Sequence, residues 1–213
     1  MRRLLPLVVL VCAATAGAQE KIDVRTLRYA ERGDYLVVSG TFTDAFDREL
    51  LEQLSSGFAQ TVAVHLWVYP AGSDQPIWYA AATYRAVYGV WDEVYLVRLR
   101  DPAGERNLRF TSRAEALKAL TTLDNFPLVP LDALPVGARY FTGLLVEVNP
   151  VGAELLAEVR RWLVRPRGAQ VSGDGSFFGS FVSVFVNPKL AAADRVLRFR
   201  SQDFYRVVPP KAP

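Results

Sequence analysis

Hydrophobic and polar residues alternate in short runs along most of the chain, which is the pattern of half-buried β-strands. The predicted strands are residues 24–30, 35–43, 58–69, 77–88, 93–100, 139–148, 177–186 and 196–204. A polar turn at residues 31–34 joins the first two runs into a hairpin. Short connections between the runs at 58–69, 77–88 and 93–100 predict an antiparallel meander.

Three segments change to the spacing of an amphipathic helix. Residues 46–54 follow Asp44, which is a suitable N-cap. Ser112 and Glu115 form a capping box that opens a helix to about residue 123. Pro150 occupies the first position of a third helix, which ends near residue 164. The predicted fold is therefore α+β, mainly an antiparallel β-sheet that is either a curled meander or sandwich-like, with about three short helices.

The first residues have the order of a cleavable signal peptide. Met1-Arg2-Arg3 precedes an apolar run at residues 4–15, and the small residues 16–18 follow it. We predict cleavage after Ala18, which divides the chain into a signal peptide at 1–18 and one globular domain at 19–213. Cys12 lies inside the apolar run and not at the cleavage point, so a lipid anchor is not expected. The predicted destination is the periplasm or the medium.

Cleavage would also change the composition. It removes Arg2 and Arg3 from a chain with 25 Lys and Arg against 22 Asp and Glu, so the formal net charge falls from +3 to +1. Such a small excess disfavours nucleic acid as a partner. None of the asparagines heads an N-glycosylation sequon, which fits a bacterial envelope. The longest later apolar run, 177–186, is too short for a transmembrane helix, so no transmembrane span is expected in the mature chain.

Few residues offer catalytic chemistry. The mature chain has no Cys and His65 is its one histidine, which excludes a zinc site within the chain, and we predict no metal and no cofactor. His65 lies in the middle of a strand, with no G-x-S-x-G motif in the chain, so a structural or surface role is expected. Alternation puts His65 on one face of that strand with Trp67 and Tyr69, and Val64 and Leu66 on the other. Glu147, between Val146 and Val148, is expected to face water; the alternative is the acid of a carboxylate-type hydrolase.

Aromatic and basic residues provide the candidate binding surface. Both faces of the meander carry aromatic residues: its second strand has Trp78, Tyr84 and Tyr88 on one face and Tyr79 on the other. The meander therefore has either two covered faces or one exposed adhesive face, and covered faces are expected. Arginines on the last strand, with those at 160–167, are either solvated or an anion-binding patch. A glycine-rich loop at 173–176 precedes two phenylalanines that are expected to be exposed. The predicted binding residues are Phe177, Phe178, Trp67, Trp78, Arg198 and Arg200.

Several stretches resemble an uncharacterised exported bacterial family, domain of unknown function 4390. They are YLVVSGTF at 35–42, DRELLEQLSSG at 47–57, the strand at 61–69, TYRA at 83–86, the helix after Ser112, and FVNP at 185–188 through FRSQDF at 199–204. The loop at 165–176 and the ending FYR at 204–206, where a Trp is expected, depart from the pattern. The resemblance implies export and no known reaction, so no catalytic residue carries over from it.

These patterns predict a non-enzymatic exported domain that binds an envelope protein or an apolar, lipid-like ligand through its sheet. Two alternatives stay open at this point. One is a carboxylate-type hydrolase that uses Glu147, and the other is a purely structural envelope protein. Geometry distinguishes the first, because a hydrolase needs two or more acids in one concave pocket, whereas a binding domain needs an apolar groove or patch.

Overall fold

The computed structural model describes residues 22–150 and 193–206. Strands dominate these two ranges. They are β1 Asp23–Arg25, β2 Arg28–Arg32, β3 Tyr35–Thr41, β4 Gln60–Pro70, β5 Trp78–Gly89, β6 Val94–Asp101, β7 Gly104–Phe110, β8 Thr122–Pro130, β9 Arg139–Val148, β10 Arg195–Ser201 and β11 Phe204–Tyr205. The helices are α1 Arg48–Ser55 and α2 Arg113–Leu120, with short 3₁₀ turns at Thr43–Ala45 and Leu131–Ala133.

The large sheet has the strand order β1-β10-β9-β4-β5-β6-β7, and β11 pairs with β9 beyond the end of β10. Every pairing in it is antiparallel except that of β1 with β10. The predicted meander is confirmed as β4, β5 and β6, joined by short connections. At its centre β4 is paired on both sides, with β5 and with β9.

The small sheet has the order β2-β3-β8 and contains the predicted hairpin as β2 and β3. It shares one hydrophobic core with the large sheet, since Leu36 and Val38 of β3 cluster with Val64 and Leu66 of β4. The arrangement is sandwich-like, which agrees with the predicted antiparallel fold class. We call the side of the large sheet that faces this core the first face and the opposite side the second face.

Two α-helices, not about three, lie within the described residues. The first begins later than predicted, because Asp44 belongs to a 3₁₀ turn and Asp47 is the N-cap: its Oδ1 accepts a hydrogen bond of 3.1 Å from the N–H of Leu50. The second begins where the capping box placed it, but the Ser112 side chain makes no cap hydrogen bond. The predicted helix at 150–164 and the predicted strand at 177–186 fall almost wholly outside the described ranges.

Two strands have no counterpart among the predicted ones. β7 is an edge strand whose residues are mostly exposed, so charged residues fill it and the hydrophobic alternation is weak. β8 contains Pro127 and Pro130, residues that are depleted in strands and weaken the strand pattern of the sequence. It is also an edge strand, paired only with β3 among the described strands, and its register shifts beside Val37 and Val38. An edge position tolerates proline because one side needs no ladder hydrogen bonds.

No helix in the described ranges is long and apolar enough to cross a bilayer.

Candidate functional site

The second face of the large sheet carries an apolar cluster separate from the shared core. Trp67, Tyr69, Phe141 and Leu145 form it, and Tyr79 and Val196 pack against it. Alternation along β4 and β9 sends these side chains to the face opposite Val64 and Leu66, as predicted for β4. Both faces of β4 are buried, so the sheet is a covered layer at its centre. The expectation of two covered faces holds for this strand but not for the whole meander, because Leu96 and Arg98 are exposed on the second face of β6.

Polar side chains interrupt this apolar surface, and His65 lies at their centre. It is buried in β4, with Leu145 opposite it on one side and Ala81 on the other. Its Nδ1 is 2.6 Å from the hydroxyl of Tyr79, and its ring stacks beside Trp67 with centroids 5.8 Å apart. His65 is therefore not a surface residue: its ring is buried and contacts the hydroxyl of Tyr79.

Glu147 is the second member of this group. The expectation that it faces water is wrong, because Glu147 is completely buried. β9 is paired on both sides, and its second face is covered at this point. The Glu147 Oε2 lies 3.5 Å from His65 Nε2. This is a contact between potential charges and not a well-formed hydrogen bond, since His65 Nε2 and both carboxylate oxygens lack hydrogen-bond partners.

Arg198 borders the same position from β10. It pairs with Leu145 across the strands, and Glu147 is the next residue of β9 on the same face. Diagonal neighbours of this kind are within reach of a long side chain. The Nε of Arg198 is buried and has no hydrogen-bond partner. A guanidinium, an imidazole and a carboxyl group therefore surround Leu145, with unused hydrogen-bonding capacity on all three.

Arg200 and Trp67 share the next row of the second face, with Gly143 between them. Arg200 has local partners of its own. Its guanidinium lies 4.1 Å from the centre of the Phe141 ring and pairs with Asp203. It is therefore a border residue of the cluster, held by a cation–π contact and an ion pair.

The structure separates Trp78 from this group. Trp78 packs against the shared core on the first face, so it does not share a surface with Trp67. Phe177 and Phe178 lie outside the described residues. Arg195 pairs with Asp47 at 3.5 Å, and Arg206 donates to the carbonyl of Leu131 at 2.7 Å. Arg195 and Arg206 therefore have partners of their own, apart from Arg198 and Arg200.

Burial also affects the tyrosine of the apolar cluster. Burial raises the pKa of the Tyr69 phenol far above its usual value, so its hydroxyl remains protonated across the physiological range. The phenol therefore adds no charge to the second face. Within the described ranges no group of three or more His, Cys, Asp and Glu side chains could hold a metal ion.

The sequence contained part of the signal for this site. Alternation predicted His65 and Trp67 on one face, and Glu147 was the one acid in a strongly apolar strand. The missing information was the register between β4 and β9. This register pairs Glu147 with Ala63, which is two residues before His65 and on the same face of β4. Tyr79 is recognisable only through the pairing of β4 with β5, where it lies opposite Trp67.

Comparison with known proteins gives one match. No curated protein and no solved structure matches the chain. The family model described as "Domain of unknown function (DUF4390)" matches residues 19–151, which is more than half of the 213 residues. This range contains His65, Tyr79 and Glu147, and it ends before Arg198. The chain therefore belongs to the DUF4390 family, as the resemblance of its motifs implied.

Proposed function

We propose that this protein is an exported, non-enzymatic binding domain of the bacterial envelope, and that the second face of its large sheet binds an apolar ligand with a polar end. Glu147 and His65 are buried, so the ligand must displace what covers them. The observation that carries this function is the combination of an apolar cluster with buried, unpartnered polar atoms. Ligand sites have this anatomy, an apolar lining with a few convergent polar groups. Buried polar groups without partners cost free energy and are uncommon unless they have a function.

The polar atoms define the end of the ligand. Glu147 offers two acceptor oxygens when it is ionised, and Arg198 offers an N–H donor. A ligand that matches both must donate one hydrogen bond and accept another, as an amphiphile with a polar headgroup does. Trp67 and Leu145 supply apolar surface beside these groups. An envelope protein that inserts an amphipathic segment would present the same chemistry.

The hydrolase alternative receives less support from the geometry. Glycoside hydrolysis by carboxyl groups needs two of them, about 5–9.5 Å apart. The titratable side chain that contacts Glu147 in the described residues is His65, which also contacts Tyr79. This set of groups lacks the second acid within the described residues.

Mass spectrometry of the extracted ligand tests the proposed function. The protein is purified without detergent from the envelope of cells that express the full chain, then denatured, and the released compounds are identified. We expect one dominant amphiphile with the wild type and a loss of at least tenfold in Glu147→Gln and Arg198→Gln. Arg98→Gln is the matched control, since Arg98 is an exposed arginine on the second face of β6, and it should retain the ligand.

The melting temperature separates a binding role of Glu147 from a structural one. If Glu147 only stabilises the fold through His65, Glu147→Gln lowers the melting temperature. If it serves a ligand, the neutral isostere leaves the ligand-free protein equally or more stable, because a buried carboxylate is costly. An extract without any enriched compound, together with a destabilised Glu147→Gln, would refute the proposal.

Phe177 and Phe178 enter the same experiment as predicted contacts. If they form the exposed part of the binding surface, Phe177→Ser and Phe178→Ser each reduce recovery of the ligand or of an envelope partner and hardly change the melting temperature. A polar replacement in a core position would instead unfold the protein. Unfolding of both variants would show that the pair belongs to the core and would remove it from the site.

A further inference from the structure

A second surface, remote from the buried polar group, lies at the tip of the hairpin formed by β5 and β6. Three large apolar side chains are exposed there: Trp91 by 99%, Phe58 by 68% and Val90 by 58%. We call these three residues the hairpin tip. Gly57, which precedes Phe58, lies close to Val90, because a Cβ atom placed on it would lie 3.3 Å from Val90 Cγ2. The segment before β4 therefore lies directly against the turn.

We propose that the hairpin tip docks this protein on the surface of a phospholipid bilayer. Trp91 protrudes from the turn between β5 and β6 and is almost fully accessible, so little surrounding protein surface is available to form the rim of a protein–protein contact. A bilayer interface requires no rim, and it favours a ring with an apolar body and a polar N–H. Phe58 and Val90 add exposed apolar surface to this contact.

Arginines lie at the level just behind the tip. Arg109 of β7 is exposed and pairs with Leu96, which is two residues beyond the start of β6. Arg113, at the start of α2, donates from Nη1 to the hydroxyl of Ser55 at 3.3 Å, three residues before Phe58. Guanidinium groups at this depth reach the phosphates of a bilayer whose interface holds Trp91, and they bind phosphate in a bidentate manner.

Acidic residues limit the depth of the contact. Asp92 and Glu93 follow Trp91 directly in the turn and are exposed. Charged carboxylates are costly in hydrocarbon, so the turn stays at the level of the headgroups and does not insert further. The resulting attachment is peripheral and reversible. It would hold the second face near lipids, but it depends on residues that the proposed ligand site does not use.

Sedimentation with sucrose-loaded vesicles tests the docking. The probe is a vesicle of phosphatidylethanolamine and phosphatidylglycerol, mixed with the protein purified from cells that express the full chain. We expect the wild type to partition to the vesicles, Trp91→Ala to partition about tenfold less, and Trp91→Phe to retain most of the binding. Tyr205→Ala is the control, since Tyr205 is also exposed and pairs near the opposite end of β9.

The arginines have a matched pair of variants. Arg109→Gln should reduce the partition about fivefold at low salt, and the difference should shrink as salt screens the phosphates. Arg139→Gln removes an equally exposed arginine at the far end of the sheet and should have little effect. Equal partition of wild type and Trp91→Ala would overturn the proposal, as would a Trp91-dependent dimer in light scattering with no binding to vesicles.

A fluorescence measurement observes the wild-type protein directly and needs only the conservative Trp91→Phe variant for comparison. Vesicles with brominated acyl chains quench indoles that lie close to them. Emission of the wild type should be quenched and that of Trp91→Phe should not be, although three other tryptophans remain in that variant. Equal quenching of the two proteins would exclude Trp91 from the interface. The two proposals can be refuted independently, because the ligand extraction tests Glu147 and Arg198 whereas the vesicle experiments test Trp91 and Arg109.

Discussion

Single side chains join the two sheets of this protein, and Tyr29 is a clear case. It belongs to β2 of the small sheet, but its hydroxyl donates to Thr142 Oγ1 of β9 in the large sheet at 2.9 Å. Its ring stacks on Phe204 of β11 with centroids 4.1 Å apart. The hydroxyl end lies between the sheets, although the residue as a whole is half-buried. Burial therefore raises the pKa of Tyr29 to about 12.

The raised pKa of Tyr29 predicts a loss of stability in alkali. An unfolded tyrosine ionises near pH 10, so the stabilisation is complete below that pH and disappears as the pH rises towards 12. At pH 11 the free energy of unfolding should have lost about 1 kcal/mol through this group. Urea denaturation of wild type and Tyr29→Phe at pH 8 and pH 11 measures it, and the phenylalanine variant should lose less.

Tyr205→Phe is the control for this effect, since Tyr205 is exposed and its replacement should leave the alkaline loss unchanged. An equal alkaline loss in wild type and Tyr29→Phe would mean that the Tyr29 hydroxyl ionises as readily in the folded protein as in the unfolded chain. Burial raises the pKa values of Tyr69 and Tyr84 as well. The difference between the two proteins, and not the slope of the wild type, is therefore the informative quantity.

At the scale of elements, the two helices begin in different ways. In α1 the Asp47 side chain accepts a hydrogen bond from the helix backbone, whereas in α2 the Ser112 side chain does not. The capping-box motif was a strong sequence signal, and it correctly located the start of α2. The Ser112 carbonyl accepts the first helical bond, from the N–H of Ala116 at 3.1 Å. The motif therefore marked the boundary without forming its side-chain contact.

This difference predicts unequal effects of two alanine substitutions. Asp47→Ala removes a cap hydrogen bond and should lower the free energy of unfolding by about 1 kcal/mol. The ion pair of Asp47 with Arg195 is partly exposed and adds little. Ser112→Ala should cost less than about 0.5 kcal/mol, because it removes no cap bond. Thermal or urea denaturation of both variants decides, with Asp47→Asn as a control that keeps an acceptor.

A reversed order of the two effects would show that Ser112 forms its cap in solution and that Asp47 does not. Equal and small effects would mean that tertiary packing, and not the caps, holds both helix ends. Leu50 and Leu54 of α1 and Ala116 and Leu120 of α2 are buried in the shared core, so packing contributes to both helices.

At the scale of the whole molecule, the export proposal has a direct test. Signal peptidase should cleave after Ala18, because residues 16–18 form the small-x-small site that follows the apolar run. Mass spectrometry of the protein purified from its native envelope should therefore identify Gln19 as the first residue. An intact Met1 would contradict export by this route, and a fatty-acylated Cys12 would show a lipoprotein instead.

The amino-acid sequence by itself determined the location of the central strands and their two faces. The alternation in β4 and β5 predicted which residues share a face with His65 and which share one with Trp78, because successive side chains of a strand point to opposite sides. It also located the hairpin of β2 and β3 through its turn residues. Edge strands such as β7 and β8 escaped detection, since an exposed or proline-containing strand lacks the alternation that burial imposes.

Only the tertiary structure decided which strands are neighbours and in which register. β9 follows β4 by about seventy residues in the chain yet pairs with it, and that register brings Glu147 beside His65. β10 adds Arg198 to the same position from still further along the chain. Pairing between distant strands depends on the combined burial of both faces and not on local residue preferences. For this reason a solvent-facing Glu147 was a reasonable expectation from one strand, and a buried polar group was visible only in the assembled sheet.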